Sequence, residues 1–354
     1  MNRKQAEEYA KAAIRNKLQA SMNGLPETIP NTSMEPYTAF PKRLFKYASI
    51  NDYTIESLTQ GYIYLCPAMN LDDQFECRVD FPLEEMKGME DGIVADAFVD
   101  YITDLIEDYP TTFTKRDLKK LIRSCLDKDR RMNMGKVTLR MQKERPDLSL
   151  EEQENVLKAF GALCTGAWLS GENEKTMQTL VTKAAKAKEE IGIGSLTENG
   201  KSQVMWEMYG NHYQGVCIEY DFRDDPNALL NIFPVIYGDK RGTNILHILV
   251  GMSMDGILNA FAKGKEPPLD NALAYIKLFL AKYAEWSFQK EWRVIGEAKG
   301  YFPVRIKAVY MGKKIAKADE LAIITIAKAK GIRLYKQKDN YSTLALEYEE
   351  IALA

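Results

Sequence analysis

The residues that carry chemistry in this chain stand in a few short runs. In "QKEWRVIG", Glu291 and Arg293 are two apart with Trp292 between them. In a strand, side chains alternate between faces, so the carboxylate and the guanidinium share one side and the indole takes the other. Such a pair can line a cleft, where a fixed carboxylate stabilises developing positive charge and a guanidinium grips phosphate. The competing reading is a same-strand salt bridge on a solvated face. A second run, "MWEMYGNHYQGVCIEYD", puts Trp206 and Tyr209 on one face of a short helix and His212 in the turn that follows. They can wall a pocket for a base or sugar; equally, the aromatics can dock the helix and His212 can serve the turn. A third run, "NLDDQFEC", offers Asn70, Asp72, Asp73 and Glu76. Oxygen ligands of this kind suit Mg²⁺ or Ca²⁺, but the spacing is not that of an EF-hand, and Asx turns explain the loop as well. Glu219 and Asp221 alternate out of one face of the strand after the second run, and a solvated face is the simpler reading for them.

These runs need elements to hold them. "RLFKYASI" (43–50) reads as a strand, "NDYTIESLTQG" as a helix capped by Asn51 or Asp52 and stopped at Gly61, and "YIYLCPA" (62–68) as a second strand. Residues 1–20 read as a helix and 22–42 as a proline-rich arm. Residues 83–160 are helical, with a capping box at Ser149 to Glu152. "ALCTGAWLS" (162–170) reads as a strand and 171–202 as a polar helix and loop. Strands follow at 216–222 and 233–239, long helices near 243–263 and 268–288, then strands at 291–297, 304–312 and 331–337 around a helix at 316–330. Strands and helices mix without a βαβαβ rhythm, which predicts an α+β fold with a mixed or antiparallel sheet. The domain expectation is an arm at 1–42, a single domain at 43–347 with helical insertions at about 83–160, 171–202 and 243–288, and a tail at 348–354.

Composition narrows the function classes. The 354 residues carry a net charge of −2, so no global basic footprint points to nucleic acid. Five scattered cysteines lack any CxxC spacing, and two histidines, His212 and His247, cannot build a histidine-rich metal centre. The N-terminus has no apolar signal core and no run spans a membrane, so the expected location is the cytoplasm. GxGxxG, GxxxxGK[ST] and GxSxG motifs are absent.

Taken together, "LFKYASIND…LTQGYIYLCPAMNLDDQFEC", "VMWEMYGNHYQGVCIEYDF", "VIYGDKR", "EWSFQKEWRVIG" and "IKAVYMGKKI" resemble, in this order over about residues 43–347, the bacterial and phage family called domain of unknown function 2971. The family's Asn-Asp-Pro-Phe-Glu run is here Asp72-Asp73-Gln74-Phe75-Glu76, without its Asn and Pro, and "LCTGAWLS" stands where the family has a Cys-Phe-Ser strand. The opening strand–helix–strand also resembles, at fold level, the start of ADP-ribosyltransferases, which place a catalytic glutamate at the head of a later strand. That resemblance implies an enzyme acting on NAD in toxin or phage-defence biology, with a protein or nucleic acid as target. Glu291 would be its carboxylate and His212 a second catalytic group. Tyr47, Tyr64, Trp206 and Tyr209 would supply aromatic walls, Arg293 or Lys46 a phosphate contact, and Asp73 and Glu76 further polar contacts. Two rivals stay open: a binding module with an aromatic cleft, and a metal-dependent nuclease using Asp72, Asp73, Glu76, Glu219 and Glu291.

Overall fold

A computed structural model of the chain describes residues 2–22, 40–73, 75–77, 79–80, 93–94, 96–104, 114–169, 182, 186, 188–222, 226–239, 243–244, 257–258, 260–261, 278–342 and 345–353. The fold is α+β, in two compact units. Met1–Gln74, Ala187–Arg241 and Leu280–Ala354 form the first; Phe75–Lys186 and Gly242–Phe279 form the second.

In chain order the strands are β1 (Leu44–Ala48), β2 (Tyr62–Tyr64), β3 (Cys66–Pro67), β4 (Val79–Asp80), β5 (Ile191–Thr197), β6 (Val216–Tyr220), β7 (Ile232–Pro234) and β8 (Ile236–Gly238). They continue as β9 (Thr243–Asn244), β10 (Ala281–Tyr283), β11 (Glu291–Glu297), β12 (Tyr301–Pro303), β13 (Ile306–Met311), β14 (Arg333–Asn340) and β15 (Ala345–Ile351). Among the described residues, the first unit's main sheet runs β15-β14-β13-β6-β1-β5-β11-β7, with β3 also paired to β5. Its pairs are antiparallel except β13 with β14, which the helix Lys317–Lys330 joins as a crossover. The expected strand–helix–strand opening is present: Asn51 caps the helix Asp52–Gln60 by accepting from Thr54 N, and Gly61 ends it in the left-handed region.

The centre of the sheet departs from the expectation. Residues 191–197, read as loop at the end of an insertion, are β5, between β1 and β11. The glycines of "IGIG" are close-approach positions. A Cβ on Gly194 would lie 2.7 Å from Ile63 Cγ2, and one on Gly192 2.7 Å from Leu65 Cβ, because the β2–β3 segment lies directly on β5. The N-terminal helix Arg3–Met22 turns Ala6, Tyr9, Ala10, Ala13 and Ile14 inward, a helical stripe.

In the second unit, the helices Asp96–Asp104, Lys115–Ser124, Met134–Glu144 and Leu150–Leu169 share a core with Ile257, Leu258 and Phe261. The expected strand at 162–170 is wrong: residues through Leu169 are the end of the last of these helices. Its capping box is real, with Ser149 N donating to Glu152 Oε2 at 2.7 Å and Glu152 N to Ser149 Oγ at 3.3 Å. The arm at 23–39 and most of the long helices expected near 243–263 and 268–288 lie outside the described residues, as does His247. At 281–289 the chain forms β10 and a 3-10 helix instead. No helix among the described residues is long and apolar enough to cross a membrane.

Candidate functional site

Glu291 opens β11, and alternation does put its side chain with that of Arg293. Arg293 Nε donates to Glu291 Oε1 at 2.9 Å. The solvated-face reading fails, however: Glu291 is 5% exposed and Arg293 0%. Lys282 from β10 adds a third charge, with Nζ 2.8 Å from Glu291 Oε2 and 5.2 Å from the centroid of the Trp286 ring. Lys282 and Tyr237 are register partners in the parallel pair β10–β8, and both reach Glu291. The Glu291 backbone N–H donates to the Tyr237 hydroxyl at 2.9 Å. Burial alone would raise the Glu291 pKa, but Arg293 and then Lys282 overcome it and hold the carboxyl well below its usual range. Trp292, on the opposite face, meets the Tyr9 and Phe40 rings edge-on, each at 5.3 Å, and donates to Glu198 Oε1 at 2.8 Å. It is a packing residue.

Lys46 of β1 stands in the field of this triad. Its Nζ lies 3.4 Å from the Ser195 carbonyl of β5, and its charge interacts with Cys66 of β3, then Glu291, then Asp72. Burial lowers the Lys46 pKa against all three. The half-buried Cys66 thiol is pushed up by burial while Lys46 opposes the shift, and the Asn70 side chain hydrogen-bonds it. Asp72 is exposed, so the patch reaches solvent on that side. Lys46, Cys66, Asn70, Asp72, Lys282, Glu291 and Arg293 thus form a graded site, from an exposed carboxylate to a buried charge triad.

The other candidates lie apart from it in their contacts. The Tyr47 hydroxyl donates to Asn199 O at 2.8 Å and accepts from Ser202 N at 3.1 Å, tying β1 to the turn before the helix Gln203–Met208. Trp206 is fully buried, donates to the Tyr348 hydroxyl at 2.8 Å and stacks on Tyr213. Tyr209 takes a hydrogen bond from Gln289 Nε2 at 2.7 Å. Tyr64 is exposed on β2 beside Tyr301. His212 is exposed, with Nδ1 2.7 Å from Glu207 Oε1. It sits in a turn where Asn211, His212 and Tyr213 all take positive φ, at 48°, 52° and 69°. Trp206 and Tyr209 thus share one aromatic cluster with Tyr47 and Tyr213, and His212 stands exposed outside it. Asp73 is half-buried, whereas Asp72 is the neighbour that reaches Lys46; Glu76 is buried in the second unit.

Glu219, expected on a solvated face, is 1% exposed. It accepts from the Tyr310 hydroxyl at 2.6 Å and pairs with Lys307 at 3.0 Å. No three His, Cys, Asp or Glu side chains among the described residues group as a metal would need.

Cys66 and Lys282 were missed in the sequence. Cys66 enters through the pairing of β3 with β5, and Lys282 through that of β10 with β8. The available signal for Lys282 was only its place nine residues before Glu291, in "AKYAEWSFQKEWR".

Residues 205–294 match the model of a family described as protein of unknown function (DUF2971), as the sequence resemblance anticipates. The match takes in β6 to β10 and the first residues of β11, hence Lys282, Glu291 and Arg293. No curated protein and no solved structure matches the chain.

Proposed function

We propose that this chain, whose residues 205–294 carry the features of a family of unknown function, is an ADP-ribosyltransferase-like enzyme that takes NAD at the Lys46–Glu291 patch. One observation carries the reading. A polar residue on the first strand, the strand after the short helix, and a glutamate heading a late strand are separate in sequence, yet β1, β3 and β11 all pair with β5, and Phe45 and Glu291 both stand opposite Thr197. In ADP-ribosyl transfer the bond from ribose C1′ to nicotinamide breaks, and nicotinamide leaves with the electron pair. A nucleophile on the target protein or nucleic acid then bonds C1′ and gives up its proton. The positive charge developing on the ribose calls for a fixed carboxylate. Glu291, kept ionised by two cations, suits electrostatic stabilisation rather than proton transfer. In this reading Lys46 meets the diphosphate.

The burial of the triad supports a second reading. In it, Lys282, Glu291 and Arg293 are scaffold, and the Lys46 patch holds an anionic ligand without turning it over. Calorimetry with NAD and a nicotinamide-release assay separate the two. Binding and release, both lost in Lys46→Met, support the enzyme; binding without release supports the module; no binding at millimolar NAD overturns the enzyme reading and excludes NAD as the module's ligand. Lys46→Met is the chosen variant because burial already disfavours the charged amine. The metal-dependent nuclease reading draws no support from the described residues.

A further inference from the structure

A second concave surface of the first unit is not used by the Lys46 patch. The groove, of about 590 Å³, lies between the end of the helix Asp52–Gln60, the segment entering β13, and the turn from the helix Lys317–Lys330 into β14. That volume falls in the range of small-molecule sites, about 300–1,000 Å³. Its floor includes the buried Leu58 and Ile332. Its rim carries Arg305, Lys307, Lys330 and Arg333 against one carboxylate, Asp221, a formal +3 on a chain whose net charge is −2. Lys307 is engaged with Glu219. Arg305, Lys330 and Arg333 are exposed and make no ion pair among the described residues.

The C-terminal ends of the helices Asp52–Gln60 and Lys317–Lys330 both line the groove and offset part of this charge through their dipoles, Lys330 being the last residue of the second. They do not explain Arg305, which precedes β13, or why Arg333, the first residue of β14, lines the same concavity. With Lys307 offset by Glu219, the cations Arg305, Lys330 and Arg333 still outnumber the carboxylate Asp221, and an oligoanion relieves their mutual repulsion. Guanidinium groups suit phosphate through paired N–H donors.

We propose that this groove binds a ligand bearing two or more phosphate groups, with Arg305 and Arg333 as the principal contacts and Lys330 as a peripheral one. The phosphates can belong to a free oligophosphate or to a nucleic-acid backbone, and the chemistry of recognition is the same. The test is calorimetry on the full chain with inorganic tripolyphosphate and, in a separate arm, a single-stranded DNA 12-mer, each at low and moderate salt. The wild type is expected to bind at least one of them, more weakly as salt rises. The double variant Arg305→Gln/Arg333→Gln is expected to lose at least about tenfold in affinity, with an unchanged melting temperature and unchanged NAD binding at the Lys46 patch. Tripolyphosphate binding alone assigns a free anion; binding of the longer oligomer alone assigns a backbone. No binding of either probe at millimolar concentration overturns the proposal, as does binding that the double variant leaves intact. If the variant melts early, Arg305→Lys/Arg333→Lys replaces it, and weakened binding by those retained charges again points to the guanidinium contacts. Failure here leaves the NAD reading standing, because that site shares none of these residues.

Discussion

Glu291 is the shared counter-charge of Arg293 and Lys282, and its removal is expected to cost stability. Replacing it with Gln leaves Arg293 and Lys282 buried without their shared counter-charge, and removing one partner of a buried ion pair costs about 3–5 kcal/mol. That loss is expected in urea unfolding at pH 7. Because the folded protein depresses the Glu291 pKa below its ordinary value of 4.5, the carboxylate's contribution is full above that value and fades as pH falls below it. The gap between wild type and Glu291→Gln should therefore narrow from pH 7 to pH 3. A gap that stays constant across this range would show that the charge of Glu291 is not what stabilises the fold. The pairing of Glu291 with Arg293 was legible because strand period two requires only local sequence. Their burial was not, since it depends on β10 and on what covers the face.

At the scale of elements, β5 is the decisive strand. It bonds β1, β3 and β11, and its glycines admit the β2–β3 segment. Gly194→Val would force side-chain atoms into the space of Ile63 and Leu65, and overpacking of this kind typically costs about 1–3 kcal/mol. A chemical denaturation midpoint equal to that of the wild type would show that the segment can move aside. The caps at Asn51 and Gly61 made the opening helix readable, and β-branched residues made β11 readable. "IGIG" was misread because the glycines that weaken local strand propensity are what tertiary packing selects there. "ALCTGAWLS" was misread the other way: an apolar run fits a strand, but it continues a helix that begins with a capping box nineteen residues before Leu169. Lys46 was singled out as a phosphate contact; its link to Cys66 and Asp72 was out of reach, because only the pairing of β3 with β5 brings the loop after β3 to β1.

The whole molecule is two units, each assembled from separated stretches of chain. Each has its own buried core, so heat is expected to unfold them in two calorimetric transitions. NAD should raise only the transition of the unit holding Lys46 and Glu291. A single transition with equal calorimetric and van't Hoff enthalpies would show that the two melt as one. The division also sets an order of events during synthesis. β1 leaves the ribosome early, but its partners β5 and β6 emerge more than a hundred residues later, and β11 to β15 last of all. Phe75–Lys186 and Gly242–Phe279 are both translated before β11 to β15, so the helical unit can reach its folded state while the sheet of β1, β5 and β6 still lacks those strands. A nascent chain stalled once Phe279 has cleared the ribosome should consequently display a protected second unit and a protease-sensitive first one, and the Lys46–Glu291 patch, which waits for β11, would be among the last parts of the protein to come into being.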